Sequence, residues 1–207
     1  MARKYELIAD QTIAVLGRTL FRIRALVSFG TVEAGEVGGY VEAEKNLADD
    51  GDAWVSGDAW VYGNARVYGN ARVYGNARVY GNAQVYGNAW VYGDAQVYGN
   101  AWVSGDAWVS GNAWVYGNAW VSGDAQVSGD AQIMWFSKVG SELGTLTAFR
   151  AAAGIRVTRG CFFGSLDEFA AAVTARHGDS QIATEYRLLI EFIRLRLGQA
   201  EEKRKVA

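Results

Sequence analysis

From Gly51 to Met134 the chain repeats one six-residue unit without insertion: Gly, Asp or Asn, Ala, a variable residue, Val, then Tyr or Ser. The alanines run from Ala53 to Ala131 in steps of six, giving fourteen copies. Only the last departs, with Ile133 for Val and Met134 for Tyr. A fixed short period is the signature of a solenoid, because so small a unit cannot bury its own apolar residues and has to stack on its neighbours. Ala and Val lie two residues apart, so in an extended strand they share a face and define the inside. The variable residue and the Tyr or Ser then point outward. Gly followed by Asp or Asn supplies a corner, since these residues tolerate positive φ at low cost. The chain has no proline, which leaves every N–H of the repeat available to a ladder between coils.

The unit resembles the hexapeptide repeat of left-handed parallel β-helices, in which an aliphatic residue is followed four places later by a small one. Val55 with Ala59, Val61 with Ala65 and Val67 with Ala71 fit that pattern, and so does the rest of the run. The resemblance implies an all-β solenoid, a left-handed triangular parallel β-helix with three hexads per coil, of the hand opposite to most parallel crossovers. Fourteen copies then make a little under five coils, a prism about 20–25 Å long at the usual strand spacing.

The flanks are not repetitive, and three segments result: a β-rich N-terminal cap (1–50), the β-helix (51–134) and a small α+β C-terminal cap with two helices (135–207). In the first, Lys4 to Ala9 and Thr19 to Leu26 read as strands, and Gly38-Gly39-Tyr40 reads as a turn. Leu47 stands one hexad upstream in the repeat frame, as a plug for the open first coil. In the last, Ile133 to Val139, Gly144 to Arg150 and Ile155 to Phe163 read as strands. Ser165-Leu166-Asp167-Glu168 is a capping box that opens a helix ending at Gly178. A second helix is expected from Ser180 to Leu197, with Ile182, Tyr186, Leu189, Ile190, Ile193 and Leu197 on its apolar face.

The same flanks are similar to a group of phage and prophage accessory proteins. The matching motifs are Arg22-Ile23-Arg24-Ala25-Leu26, Gly38-Gly39-Tyr40-Val41, Val139-Gly140-Ser141, Gly144-Thr145, Arg159-Gly160-Cys161-Phe162 and Leu166-Asp167-Glu168-Phe169. This second resemblance implies a phage or prophage origin and, as a hypothesis, inhibition of a host defence protein.

Composition removes several classes. A formal charge of −2 over 207 residues marks neither a nucleic-acid-binding surface nor an acidic mimic of one. The single cysteine excludes an internal disulfide framework and fits a reducing compartment. Met1 to Leu7 has no apolar signal region, and no apolar run approaches membrane-spanning length. The expectation is the cytoplasm of a bacterial host, with no membrane partner.

Enzyme chemistry finds little support. Hexapeptide acyltransferases use a histidine in the prism, yet the lone His177 lies outside the repeat, in the last turn of a helix, where it suits the terminal carbonyls. Cys161 and His177 are too few ligands for zinc, and Cys161, beside Phe162 and Phe163, reads as a buried structural thiol. Asp52, Asp58, Asp94, Asp106, Asp124 and Asp130 occupy corners where Asn serves equally well. No catalytic residue, metal or cofactor is expected.

The outward aromatics carry the functional reading. Residues eighteen apart stack on one face of a three-hexad coil. The first face then carries Trp54, Arg72, Trp90 and Trp108, with Arg72 placed for cation–π contacts. The second carries Trp60, Arg78, Gln96 and Trp114 beside a ladder of Tyr62, Tyr80, Tyr98 and Tyr116. The third carries Arg66, Gln84, Trp102 and Trp120 beside Tyr68 and Tyr86. Mutual stacking would rigidify the prism, but so many outward rings exceed what a soluble monomer usually exposes. Trp and Tyr also dominate binding hot spots. The sequence therefore points to a non-catalytic protein–protein interaction module that binds a partner or itself as an oligomer. A glycan-binding solenoid is the alternative, and an acyltransferase a more distant one.

Overall fold

The computed structural model describes residues 3–205, with side chains through residue 198. Thirteen successive hexads each contribute one two-residue strand, from β4 (Trp54–Val55) to β16 (Gln126–Val127). Every strand pairs in parallel with the strand three hexads away, as in Trp60 with Arg78 and Val61 with Val79. The result is three sheets: β4, β7, β10, β13 and β16 on the first face; β5, β8, β11 and β14 on the second; β6, β9, β12 and β15 on the third. Three hexads to a coil is what the spacing predicts. From Ala53 to Val127 the Val and Ala of every hexad are buried. Each Val contributes about 1.5–3 kcal/mol relative to an exposed side chain.

The corners explain the invariant glycine of the unit. Gly87 has φ +70°, and a Cβ there would come within 2.9 Å of the Gly105 nitrogen one coil on. Both the left-handed backbone and the close stacking of coils demand glycine. The following residue builds a second ladder. Asn64 donates its side-chain amide to Asn82, Asn82 to Asn100 and Asn100 to Asn118, at 3.0–3.2 Å. Lys45 Nζ donates to Asn64 Oδ1 at the N-terminal end. In the other two columns the donation runs from Asn70 through Asn88 to Asp106, and from Asn76 to Asp94. A carboxylate only accepts, so these Asp residues end their ladders. Asn therefore passes the ladder on, where Asp only receives it.

The N-terminal cap continues the coil. β1 (Tyr5–Val15), β2 (Arg18–Ala25) and β3 (Val37–Val41) form an antiparallel extension of the second face. β3 pairs in parallel with β5, Tyr40 opposite Trp60. Gly38-Gly39 is therefore strand rather than the expected turn. Its glycines answer to crowding, since a Cβ on Gly38 would meet the Val55 carbonyl oxygen at 2.5 Å. Leu47 bridges to Val67 and is buried, the plug that its frame predicts. The Asn46 amide donates to the Gly63 and Ala65 carbonyls. Over the first face, Lys4 Nζ donates to the Gly51 and Ala53 carbonyls.

At the other end the fourteenth copy leaves the pattern as a 3-10 turn, Asp130–Gln132. β17 (Ile133–Val139), β18 (Gly144–Ala151), β19 (Gly154–Arg159) and β20 (Phe162–Ser165) form an antiparallel sheet. This sheet packs with α1 (Leu166–His177) and α2 (Gln181–Lys205) around a second core. The capping box is formed, with Glu168 N–H donating to Ser165 Oγ and Ser165 N–H to the Glu168 carboxylate. Side chains of the cap close the last coil. Asp130 accepts from the Trp114 N–H, Thr147 from the Trp120 N–H, and Thr158 Oγ1 donates to the Trp120 carbonyl.

Candidate functional site

The strand after each corner sets the aromatic columns, because parallel pairing places equivalent residues one coil apart. On the second face Tyr62, Tyr80, Tyr98 and Tyr116 stack with ring centroids 4.8–5.0 Å apart and planes within 5°. Trp135 of β17 covers the end of this column edge-on, 4.3 Å from Tyr116. Tyr68 and Tyr86 stack on the third face, and Tyr74 and Tyr92 at the edge of the first. The rings hide one another's faces, so the tyrosines present edges to solvent. Burial raises the phenol pKa values of Tyr62, Tyr68, Tyr74, Tyr80 and Tyr98. Tyr80 Oη also reaches Gln96 at 3.3 Å.

The tryptophans divide. Trp54, expected to face outward, is 2% exposed beneath the N-terminal cap, edge-on to Tyr5 and Phe29. Tyr62 is likewise buried, at 8%. The N-terminal cap wraps the first coil, which a repeat-based reading cannot foresee. Arg78 lies over Trp60 at 4.5 Å. Arg72 makes no such contact among the described residues; its guanidinium instead crowds Gly30. Away from the cap the rings open: Trp90, Trp102, Trp108, Trp114 and Tyr116 are 39–45% exposed. Trp90 and Trp108 stack with centroids 5.6 Å apart. The exposed surface is thus concentrated in the C-terminal coils, on indoles more than on phenols.

Two cavities accompany these columns. One, about 200 Å³, lies where the first face meets the C-terminal cap. The other, about 170 Å³, is inside the cap and brings Cys161 and His177 to one space with Arg159 and Tyr186. Cys161 is exposed, not buried as expected, because it sits in the turn between β19 and β20. Arg159 is held by the Tyr186 hydroxyl and the Val139 carbonyl, a structural use of its donors. Among the described residues no group of three or more His, Cys, Asp or Glu is placed to hold a metal. No described helix is long and apolar enough to cross a membrane.

The repeat is similar to the YdcK beta solenoid repeat, whose family model matches residues 59–73, 71–84, 83–95, 95–111, 107–123 and 113–129. The chain is a parallel β-solenoid repeat protein. No curated protein matches it. The matched stretch of the solenoid covers the exposed rings from Trp90 to Tyr116 and stops short of both caps.

Proposed function

We propose that this solenoid is a non-catalytic interaction module whose second face docks a protein partner or a second copy of the chain. The observation that carries the reading is the exposed end of that face. Trp114 and Tyr116 stand 44% and 39% open on a column fixed by three stacked ring pairs. A surface so fixed loses little conformational entropy on binding. Because stacking hides the ring faces, the column alone supplies less than the ~800 Å² per partner of a standard interface. The partner therefore also covers the edges of Tyr80 and Tyr98 and the neighbouring Gln96. The resemblance of the flanks to phage accessory proteins makes a bacterial cytoplasmic protein, such as a defence component, the first partner to try.

The test uses residues the repeat already tolerates. Trp114→Gln with Tyr116→Ser reproduces side chains found at the same hexad positions in Gln96 and Ser110, so the fold is retained. Sedimentation of the purified chain and capture from a bacterial lysate are compared with Trp102→Gln on the third face. The expected result is at least a ~10-fold loss of association for the double variant, the scale of a hot spot, and none for the control. A wild-type chain that neither self-associates nor captures a protein, or a double variant that binds normally, overturns the reading.

A further inference from the structure

The first face carries a different feature, a tyrosine column with a missing rung. Tyr74 and Tyr92 stack 4.9 Å apart with parallel planes. The register then continues through Ser110 and Ser128, since the Tyr92 N–H donates to the Val109 carbonyl and the Ser110 N–H to that of Val127. A ring at either serine would extend the stack. A hydroxymethyl group leaves the space open, and the cavity of about 200 Å³ occupies it. That exceeds the ~150 Å³ that accepts a benzene-sized guest, so one six-membered ring fits.

The other two columns end differently. Trp135 covers Tyr116, and Trp102 leans edge-on against Tyr86 at a centroid distance of 6.4 Å. Among the described residues no ring covers the C-terminal face of Tyr92, which forms one wall of the cavity. The other walls are polar: Ser110, Gln126, Ser128 and Gln132, with Trp108 at the side and Arg150, which also donates to the Leu197 carbonyl, as the one charged group. Gln132 is oriented, because its Oε1 accepts from both the Ser128 N–H and the Ser128 hydroxyl. This turns its two amide N–H donors elsewhere, while the Gln126 amide and the Ser110 hydroxyl each both donate and accept.

We infer that this cavity is a saccharide subsite, in which a hexopyranose takes the place of the missing tyrosine. Its C–H face stacks on Tyr92 and its hydroxyls bond to the amides and serines. A flat apolar ring would leave the polar groups it covers without partners, which is costly. No carboxylate lines the cavity, as a metal ion would need. This inference does not rest on the second-face reading, because it concerns another face.

The test is a titration of the full chain with maltotriose, cellotriose and chitotriose at millimolar concentrations, followed by tryptophan fluorescence and amide NMR shifts. At least one sugar is expected to bind. Ser110→Tyr fills the gap with the ring the column already uses, so it should stack, raise Tm and abolish binding. Gln126→Ala, at a position with no hydrogen bond to the fold among those described, should weaken binding severalfold. Trp114→Gln with Tyr116→Ser should leave saccharide affinity unchanged. Absence of binding to all three sugars overturns the inference. So does full affinity in Ser110→Tyr, or in Gln126→Ala should the tyrosine variant fail to fold.

Discussion

Asn88 donates its side-chain amide to Asp106 at 2.9 Å, and the corner ladder that began at Asn70 ends there. The amide both accepts from the coil before and donates to the coil after, whereas the carboxylate only accepts. An aspartate accordingly interrupts the ladder wherever it stands, as Asp94 does between Asn76 and Asn112. Asn82, with Asn64 behind it and Asn100 ahead, tests this directly. Asn82→Asp removes one donor and should cost about 1 kcal/mol, read as a lower urea midpoint. Asp106→Asn keeps the acceptor that Asn88 uses and should be neutral. Equal effects from the two would show that the ladder has no polarity.

Glycine at the corners combines two demands that two substitutions separate. Gly17, in the β1–β2 hairpin, has φ +76° but open space around a built Cβ. Gly17→Ala should therefore cost only the backbone strain, about 1–2 kcal/mol. Gly87→Ala meets the same strain and a backbone atom at 2.9 Å, so it should destabilise by clearly more. Thermal melts of the two variants give the difference, which is the cost of forcing adjacent coils apart.

The coil length makes a prediction about deletions. Removing Gly69 to Tyr86 takes out one full coil, restores every i to i+18 pairing across the cut, and should leave a cooperative melt and β-type circular dichroism. Removing a single hexad shifts all later residues by one face. It would set Tyr80 beneath a residue of another column and turn the C-terminal cap relative to the N-terminal one. The single-hexad variant should therefore show the lower Tm and altered cap-to-cap distances by spin labelling. Equal stability with unchanged distances would contradict a three-hexad coil.

Alkaline pH should unfold the chain through its phenols. Burial pushes the pKa of Tyr5 well above that of a free phenol, and its hydroxyl donates to the Glu44 and Leu47 carbonyls. Burial moves Tyr62, Tyr68, Tyr74, Tyr80 and Tyr98 in the same direction. A phenol with a raised folded-state pKa gives stability that is complete below the unfolded value, near pH ~10, and lost as pH rises through the folded one. Lys4, whose pKa burial lowers, acts in the opposite sense, one group against six. Unfolding free energy should hence fall steeply from about pH 10 upward, and Tyr5→Phe should flatten the slope.

The solenoid was legible because its signal is local and repeated. Val61 and Ala65 state the inside of the coil, and the eighteen-residue register follows from their spacing. The capping box at Ser165 and Glu168 and the plug at Leu47 were legible for the same reason, each being a short pattern with one physical meaning. What escaped depends on contacts far apart in sequence. Trp54 has the outward position of its hexad, yet Tyr5 and Phe29 of the N-terminal cap bury it. Cys161 sits among apolar residues, but a turn lifts it into solvent. Gly38-Gly39 has the composition of a turn and lies in a strand pressed on Val55. The cavity beside Tyr92 was visible only as serines in place of tyrosines, a signal without meaning until the C-terminal cap closes over it.

The amide ladders point one way, with every described rung donating toward the C-terminus. Such a line of aligned dipoles leaves bare oxygens at its start and bare N–H groups at its finish, the reverse of an α-helix. Lys45 meets the first oxygen of the Asn64 column, while Asp94 and Asp106 receive the last amides of the other two. Each column therefore has a direction. Coils are not invertible, and any growth of the array by duplication has to insert new hexads in the same sense.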